Sequence, residues 1–166
     1  MKKLILLIII SFSISQITFA QTTEIWIVRH AEKDKSNPEE KDPNLSDEGK
    51  IRAGDLAKFL KKVNFDAAFS TSTKRTHQTL DSLIIKKVFD YKDIKALSDT
   101  VNAHYLGKTI IIAGHSNTVL EIIEAFKGKR PKDMLTDDDY DYIFHLTLKG
   151  NKTKVKMDQF GRPHHL

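Results

Sequence analysis

The chemistry in this chain is concentrated in Arg29-His30, Arg75 and His115. Guanidinium groups are permanently charged forked donors suited to oxyanions, and a neutral imidazole is both nucleophile and proton carrier. Residues 25–33 read Ile-Trp-Ile-Val-Arg-His-Ala-Glu-Lys, an apolar run that ends abruptly in Arg29-His30. A strand finishing this way sets a fixed charge beside a titratable nitrogen at a sheet edge, where α/β proteins bind ligands. A lone Arg-His pair is weak, because most such dipeptides are merely solvated. The case rests on whether Arg75 and Gly114-His115 reach the same edge.

The elements that would carry these residues alternate between strand-like and helix-like. Glu24 to Val28 is the first strand, Asp66 to Ser70 a short one, and Lys108 to Ala113 an apolar, β-branched run suited to a buried parallel strand. Val88 to Tyr91 is a further candidate. Ser46 is positioned to cap a helix with Leu56, Phe59, Leu60 and Val63 on one face. Thr76, Leu80, Leu83 and Ile84 give the next helix an inward stripe. Asp93 to Tyr105 is a third helix, and Val119, Ile122, Ile123 and Phe126 mark a fourth. Asp139 to Leu148 and Thr153 to Met157 read as strands joined by a turn at Lys149-Gly150-Asn151-Lys152.

This order predicts an α/β fold, a three-layer α/β/α sandwich with a mostly parallel central sheet and an antiparallel C-terminal edge. In such a sheet, strand C-termini and the following helix N-termini share one face, so two Arg and two His converge there. Helix N-termini add backbone N–H groups aimed at an anion. Ser70, Thr71, Ser72 and Ser116 are further donors. The polar stretch from Glu32 to Asn44, with Pro38 and Pro43, is a long loop.

These residues resemble the histidine phosphatase superfamily, branch 1, also called phosphoglycerate-mutase-like. Arg29-His30-Ala31-Glu32 is similar to its Arg-His-Gly signature, and Leu45-Ser46 with Gly49 and Ala53 to its Leu-Thr/Ser-x-x-Gly-x-x-x-Ala helix start. Ser70 through Arg75 and Gln78-Thr79 resembles its Ser-x-x-x-x-Arg-x-x-Gln-Thr block, and Gly114-His115-Ser116-Asn117 its second-histidine block. The matches lie in family order from about residue 25 to 126. Two features depart from the pattern. Ala31 stands where glycine is usual, and residues 81–107 lack the glycine-rich segment in which the mutases carry a glutamate.

The resemblance implies that His30 attacks phosphorus and forms a phosphohistidine that water then hydrolyses. Arg29 and Arg75 would bind the phosphoryl oxygens, with His115 stabilising the charge that develops. No cofactor and no metal are expected, since guanidinium groups do the neutralising and the remaining histidines lack zinc-ligand spacing. His77, His104, His145 and the tail pair His164-His165 read as ordinary polar positions. For the proton on the leaving group the candidates are Glu32, Asp93, Asp99 and Tyr140-Asp141.

The expected activity is hydrolysis of phosphomonoesters, the substrate being a phosphorylated small molecule, glycan or peptide. Two alternatives stand beside it: a phosphohistidine or phosphoramidate phosphatase, and a non-catalytic phosphate- or phosphoglycan-binding module. Mutase activity fits less well, because the chain lacks insertions that would enclose a sugar acid.

Residues 1–20 read as a signal peptide, with Lys2-Lys3 as a basic start, Leu4 to Ile10 apolar, and Thr18-Phe19-Ala20 before Gln21. The polar turn at Ser11, Ser13, Ser15 and Gln16 favours cleavage over a retained anchor. The expectation is a bacterial periplasmic or secreted protein with one domain, residues 21–166. Loss of Lys2 and Lys3 would lower the formal charge from +5 to +3, without the basic, aromatic-laced clusters that nucleic acid requires. The chain has no cysteine, which excludes thiol chemistry and disulfides.

Overall fold

The two most apolar strands of the sequence lie side by side in the centre of a six-stranded sheet. The protein is described by a computed structural model over residues 21–163, so the expected leader and His164-His165 lie outside the described residues. In chain order the elements are β1 (Thr22–Arg29), α1 (Asp47–Phe59), β2 (Ala67–Ser70), α2 (Lys74–Leu80) and β3 (Val88–Asp90). They continue as α3 (Ile94–His104), β4 (Thr109–Gly114), α4 (Val119–Ala125), β5 (Tyr142–Lys149) and β6 (Lys152–Gln159). The strand order is β3-β2-β4-β1-β5-β6. The first four run parallel, and β5 pairs antiparallel with both β1 and β6. The expected α/β sandwich with an antiparallel C-terminal edge is therefore the fold observed.

Alternation along the central strands builds the two halves of the core. Ile25, Ile27, Ile110 and Ile112 face α3 and α4, meeting Leu97, Val101, Ile122 and Ile123. Val28, Ile111 and Ala113 face the other way, toward Leu56 of α1 and Leu80 of α2. Strands buried on both faces read as unbroken apolar runs, which is why β4 is so clear in the sequence. Ser46 caps α1, its Oγ accepting from Gly49 N at 3.2 Å, and Asp93 caps α3 through Ala96 N at 2.7 Å. Among the described residues no helix is long and apolar enough to cross a membrane.

Three details differ from the sequence reading. α2 stops at Leu80, so Ile84 falls in the following turn and is 98% exposed instead of completing an inward stripe. Phe59 is only partly covered, its ring edge-on to Trp26. β5 begins at Tyr142, not Asp139, because Asp139 closes a turn: its carboxylate accepts from Thr136 N at 2.6 Å. That turn, lying just before the strand, carries residues of the site.

Candidate active site

Strand register sets the two histidines beside each other. Arg29 pairs with Gly114 across β1 and β4, and His30 N continues the ladder to Gly114 O at 2.9 Å. The residues that follow, His30 and His115, therefore leave the sheet together, with ring centroids 5.2 Å apart and planes at 65°. Arg75, in the first turn of α2, comes from the neighbouring strand–helix unit. The four residues line one open cleft of about 480 Å³, with Ser116 and Asn117 on its wall.

His30 is buried, and its Nδ1 lies 2.8 Å from the carbonyl of Ala31. A carbonyl only accepts, so Nδ1 carries the proton and Nε2 keeps its lone pair. Burial, partly opposed by that hydrogen bond and reinforced by Arg29, Arg75 and His115, pushes the His30 pKa down to about 3. His115 is pushed down to about 4, first by burial and then by Arg75 and Arg29. Its Nε2 is paired with Thr71 Oγ1 at 2.9 Å, and its backbone N–H donates to Thr118 Oγ1 at 2.9 Å.

Arg29 is aimed by the turn before β5. Its guanidinium lies over the Tyr140 ring, 4.0 Å from the centroid, and Nη1 donates to Thr136 O at 2.7 Å. Arg75 Nη1 lies 3.4 Å from Asp42 Oδ1, whose carboxylate also accepts from Lys74 N. The Nε of Arg29 and the Nε of Arg75 are buried with no hydrogen-bond partner among the described residues. Buried donors of this kind cost stability unless an acceptor reaches them. An oxyanion seated between the two guanidiniums is the acceptor their chemistry suits.

The rest of each sequence block turns out to be a clamp. Thr79 Oγ1 accepts from Ala31 N at 2.9 Å and donates to Arg75 O at 2.7 Å, tying the histidine loop to α2. Gln78 spans the loop end, accepting from Leu45 N at 2.8 Å and donating to Asn44 Oδ1 at 2.9 Å. Ala31, Leu45 and Ala53 form a small apolar cluster. Gly49 faces the Glu32 backbone so closely that a Cβ there would lie 2.1 Å from the Glu32 carbonyl oxygen.

The proposed proton donors are dispersed. Glu32 points to α1, where Arg52 Nε meets its two oxygens at 2.8 and 2.9 Å and Arg52 Nη2 lies 2.7 Å from Oε1. Both residues line a different cleft from the histidines. Asp93 is the cap of α3, Asp99 pairs with Lys95 on the exposed face of that helix, and Asp141 is buried against Gln159. Of the acid candidates only Tyr140 lines the histidine cleft, where it supports Arg29. Of the further donors, Thr71 holds His115 and Ser116 lines the cleft, while Ser70 is turned to Thr71 O. The carboxylate that does line the cleft is Asp137, which the sequence reading passed over. Its signal was available only as an acidic run, Asp137-Asp138-Asp139, with nothing to say which member faces the site.

The depressed histidines make stability depend on pH. Below the ordinary value of 6.5 the unfolded chain takes up protons that folded His30 and His115 refuse, until about pH 3 and 4 respectively. Their effect is therefore absent above pH 6.5 and grows as pH falls. The Tm is expected to drop between pH 6.5 and about 5, above the range where ordinary carboxylates titrate. A His30→Gln/His115→Gln variant should show a flatter Tm profile across that window, and an equally steep one would contradict the assignment.

Comparison with known proteins agrees with this picture. Residues 25–99 match the model of the histidine phosphatase superfamily (branch 1). No curated protein matches the chain. The structure of the protein histidine phosphatase SixA complexed with tungstate superposes with a TM-score of 0.69 at 18% identity, covering 82% of this chain and 96% of that one. Bacillus stearothermophilus YhfR gives 0.61 at 17%, over 80% and 95% of the two chains. A mutant phosphoserine phosphatase from Entamoeba histolytica in complex with phosphoserine gives 0.63 at 15%, over 87% and 100%. At such identities the likeness establishes the fold, while the family match covers the blocks around Arg29-His30 and Arg75. The chain thus carries a match to the histidine phosphatase superfamily (branch 1) over residues 25–99, on a fold shared with these solved structures.

Proposed function

We propose that this protein is a metal-independent phosphatase that hydrolyses phosphomonoesters through a phosphohistidine at His30. The observation that carries the reading is the His30 Nδ1 contact with the Ala31 carbonyl, in a cleft shared with Arg29, Arg75 and His115. It supports the tautomer in which Nε2, the attacking atom in this reading, keeps its lone pair. Nε2 forms a bond to phosphorus as the bond to the leaving oxygen breaks in line behind it. Arg29 and Arg75 hold the equatorial oxygens, and His115 donates to one of them once Thr71 yields that contact. Water then attacks phosphorus, the P–N bond breaks, and neutral His30 returns with inorganic phosphate. The leaving oxygen takes its proton from water that enters the open cleft.

A second reading, a phosphoramidate or phosphohistidine phosphatase, draws support from the positions of Glu32, Asp93, Asp99 and Asp141 away from the cleft. A leaving nitrogen that is already protonated needs less help from a general acid. Incubating the protein with an aryl phosphate, with and without a chelator, tests the lead reading. Equal turnover in both is expected; loss of activity on chelation would overturn the metal-free route. Tight vanadate binding without any turnover would make the protein a phosphate-binding module instead.

A further inference from the structure

The histidine cleft has a second cationic group that the chemistry above does not use. Lys33 and Lys35, on the loop that follows the nucleophile, line it together with Asp137. We propose that Lys33 and Lys35 form a second anion subsite, selecting phosphate esters whose leaving group bears a further negative charge. The charge would be a carboxylate or a second phosphate, and the proposal rests on the phosphatase reading of the same cleft.

The loop from 32 to 44 is rich in acids, yet the side chains of Asp34, Glu40 and Asp42 take other partners than these lysines, Asp42 also meeting Arg75. Asp34 accepts from Ser36 N at 2.8 Å, Glu40 from Asp42 N at 3.0 Å, and Asp42 from Lys74 N at 3.0 Å. Lys33 and Lys35 enter no ion pair among the described residues. The loop base is also held: Lys33 bridges Leu45, and Asp34 N donates to Asn44 O at 2.8 Å. Two unpaired ammonium groups on a pinned backbone thus border the site.

Depth separates the two sets of cations. Arg29 is 5% exposed and Arg75 is largely covered, so they meet the phosphoryl group. The lysines are exposed at the rim and meet whatever projects from it. A cleft of about 480 Å³ falls within the range of small-molecule sites and has room beyond a phosphoryl group. Ammonium groups on flexible stems act as point charges and tolerate several positions of the second anion. Asp137, whose charge acts on Arg29, repels an anion from its own side and so directs it to the lysines.

Two aryl phosphates of similar leaving-group acidity test this, 4-carboxyphenyl and 4-carbamoylphenyl phosphate. The wild-type protein is expected to favour the carboxylate by about tenfold in kcat/KM, mostly through KM, at low salt. The ratio should fall toward one in Lys33→Gln/Lys35→Gln and as ionic strength rises. Lys152→Gln/Lys154→Gln, which removes the same charge from exposed positions on β6, should keep it. A wild-type ratio near one would overturn the proposal, as would a ratio unchanged in the Lys33/Lys35 variant or lost equally in the β6 variant. If neither ester is turned over, the phosphatase reading fails on its own, and calorimetric binding of the two esters decides the subsite by the same ratio.

Discussion

Replacing His30 by alanine is expected to lower kcat by roughly 10⁴–10⁶-fold, the scale seen when a covalent nucleophile is removed. On the proposed route the imidazole carries the only step in which the protein itself bonds to phosphorus, so no neighbour is expected to substitute for it. Quenching the wild-type protein during turnover should trap a phosphoenzyme that is acid-labile and base-stable, and the variant should form none. Phosphate or vanadate should still bind to His30→Ala, because Arg29 stays anchored to Thr136 O and Tyr140 and Arg75 stays on α2. Retained binding with lost turnover separates a missing nucleophile from a collapsed pocket. Full turnover by the variant would remove His30 from its role.

Why the histidines were legible in the sequence, and the carboxylate lining their cleft was not, follows from how each is positioned. His30 and His115 both follow strands whose apolar, β-branched runs fix their place in the sheet. Once those strands are neighbours and parallel, register alone makes the two residues adjacent. Arg75 is equally constrained, one residue into a helix that follows β2. Glu32 is two residues beyond His30, a short distance along the chain that says nothing about direction. Its direction is set by Arg52, twenty residues away on α1, and by Ser46 N, which takes the Glu32 carbonyl at 2.9 Å. Tyr140 and Asp137 come from a turn that returns to β1 across more than a hundred residues. No periodicity announces such a contact, and the strand-like look of Asp139 to Leu148 concealed the turn. The same logic explains Ile84: an apolar stripe was visible, but the helix end at Leu80 was not.

The Glu32–Arg52 pair carries the second large expectation, one of stability. Arg52 is buried and Glu32 largely covered, and Arg52 also donates to Arg162 O at 3.1 Å, so it ties the segment after His30 to the end of β6 and beyond. Arg52→Ala would leave a largely covered carboxylate without its guanidinium, a change that costs about 3–5 kcal/mol for fully buried pairs and is expected near the lower end here. For a domain of this size the Tm is expected to fall by about 10 °C or more. Replacing both partners, as in Glu32→Leu/Arg52→Leu, should recover much of that loss, because the penalty lies in the orphaned charge and not in the missing attraction. Glu32→Gln separates this role from acid catalysis. A structural carboxylate predicts a lower Tm with an unchanged dependence of rate on leaving-group acidity, whereas a proton donor predicts a native Tm and selective loss on poor leaving groups. The second result would return Glu32 to the chemistry. The first would leave it as the residue that keeps the segment after His30 against α1, with Gly49 packed beneath it because no side chain fits there.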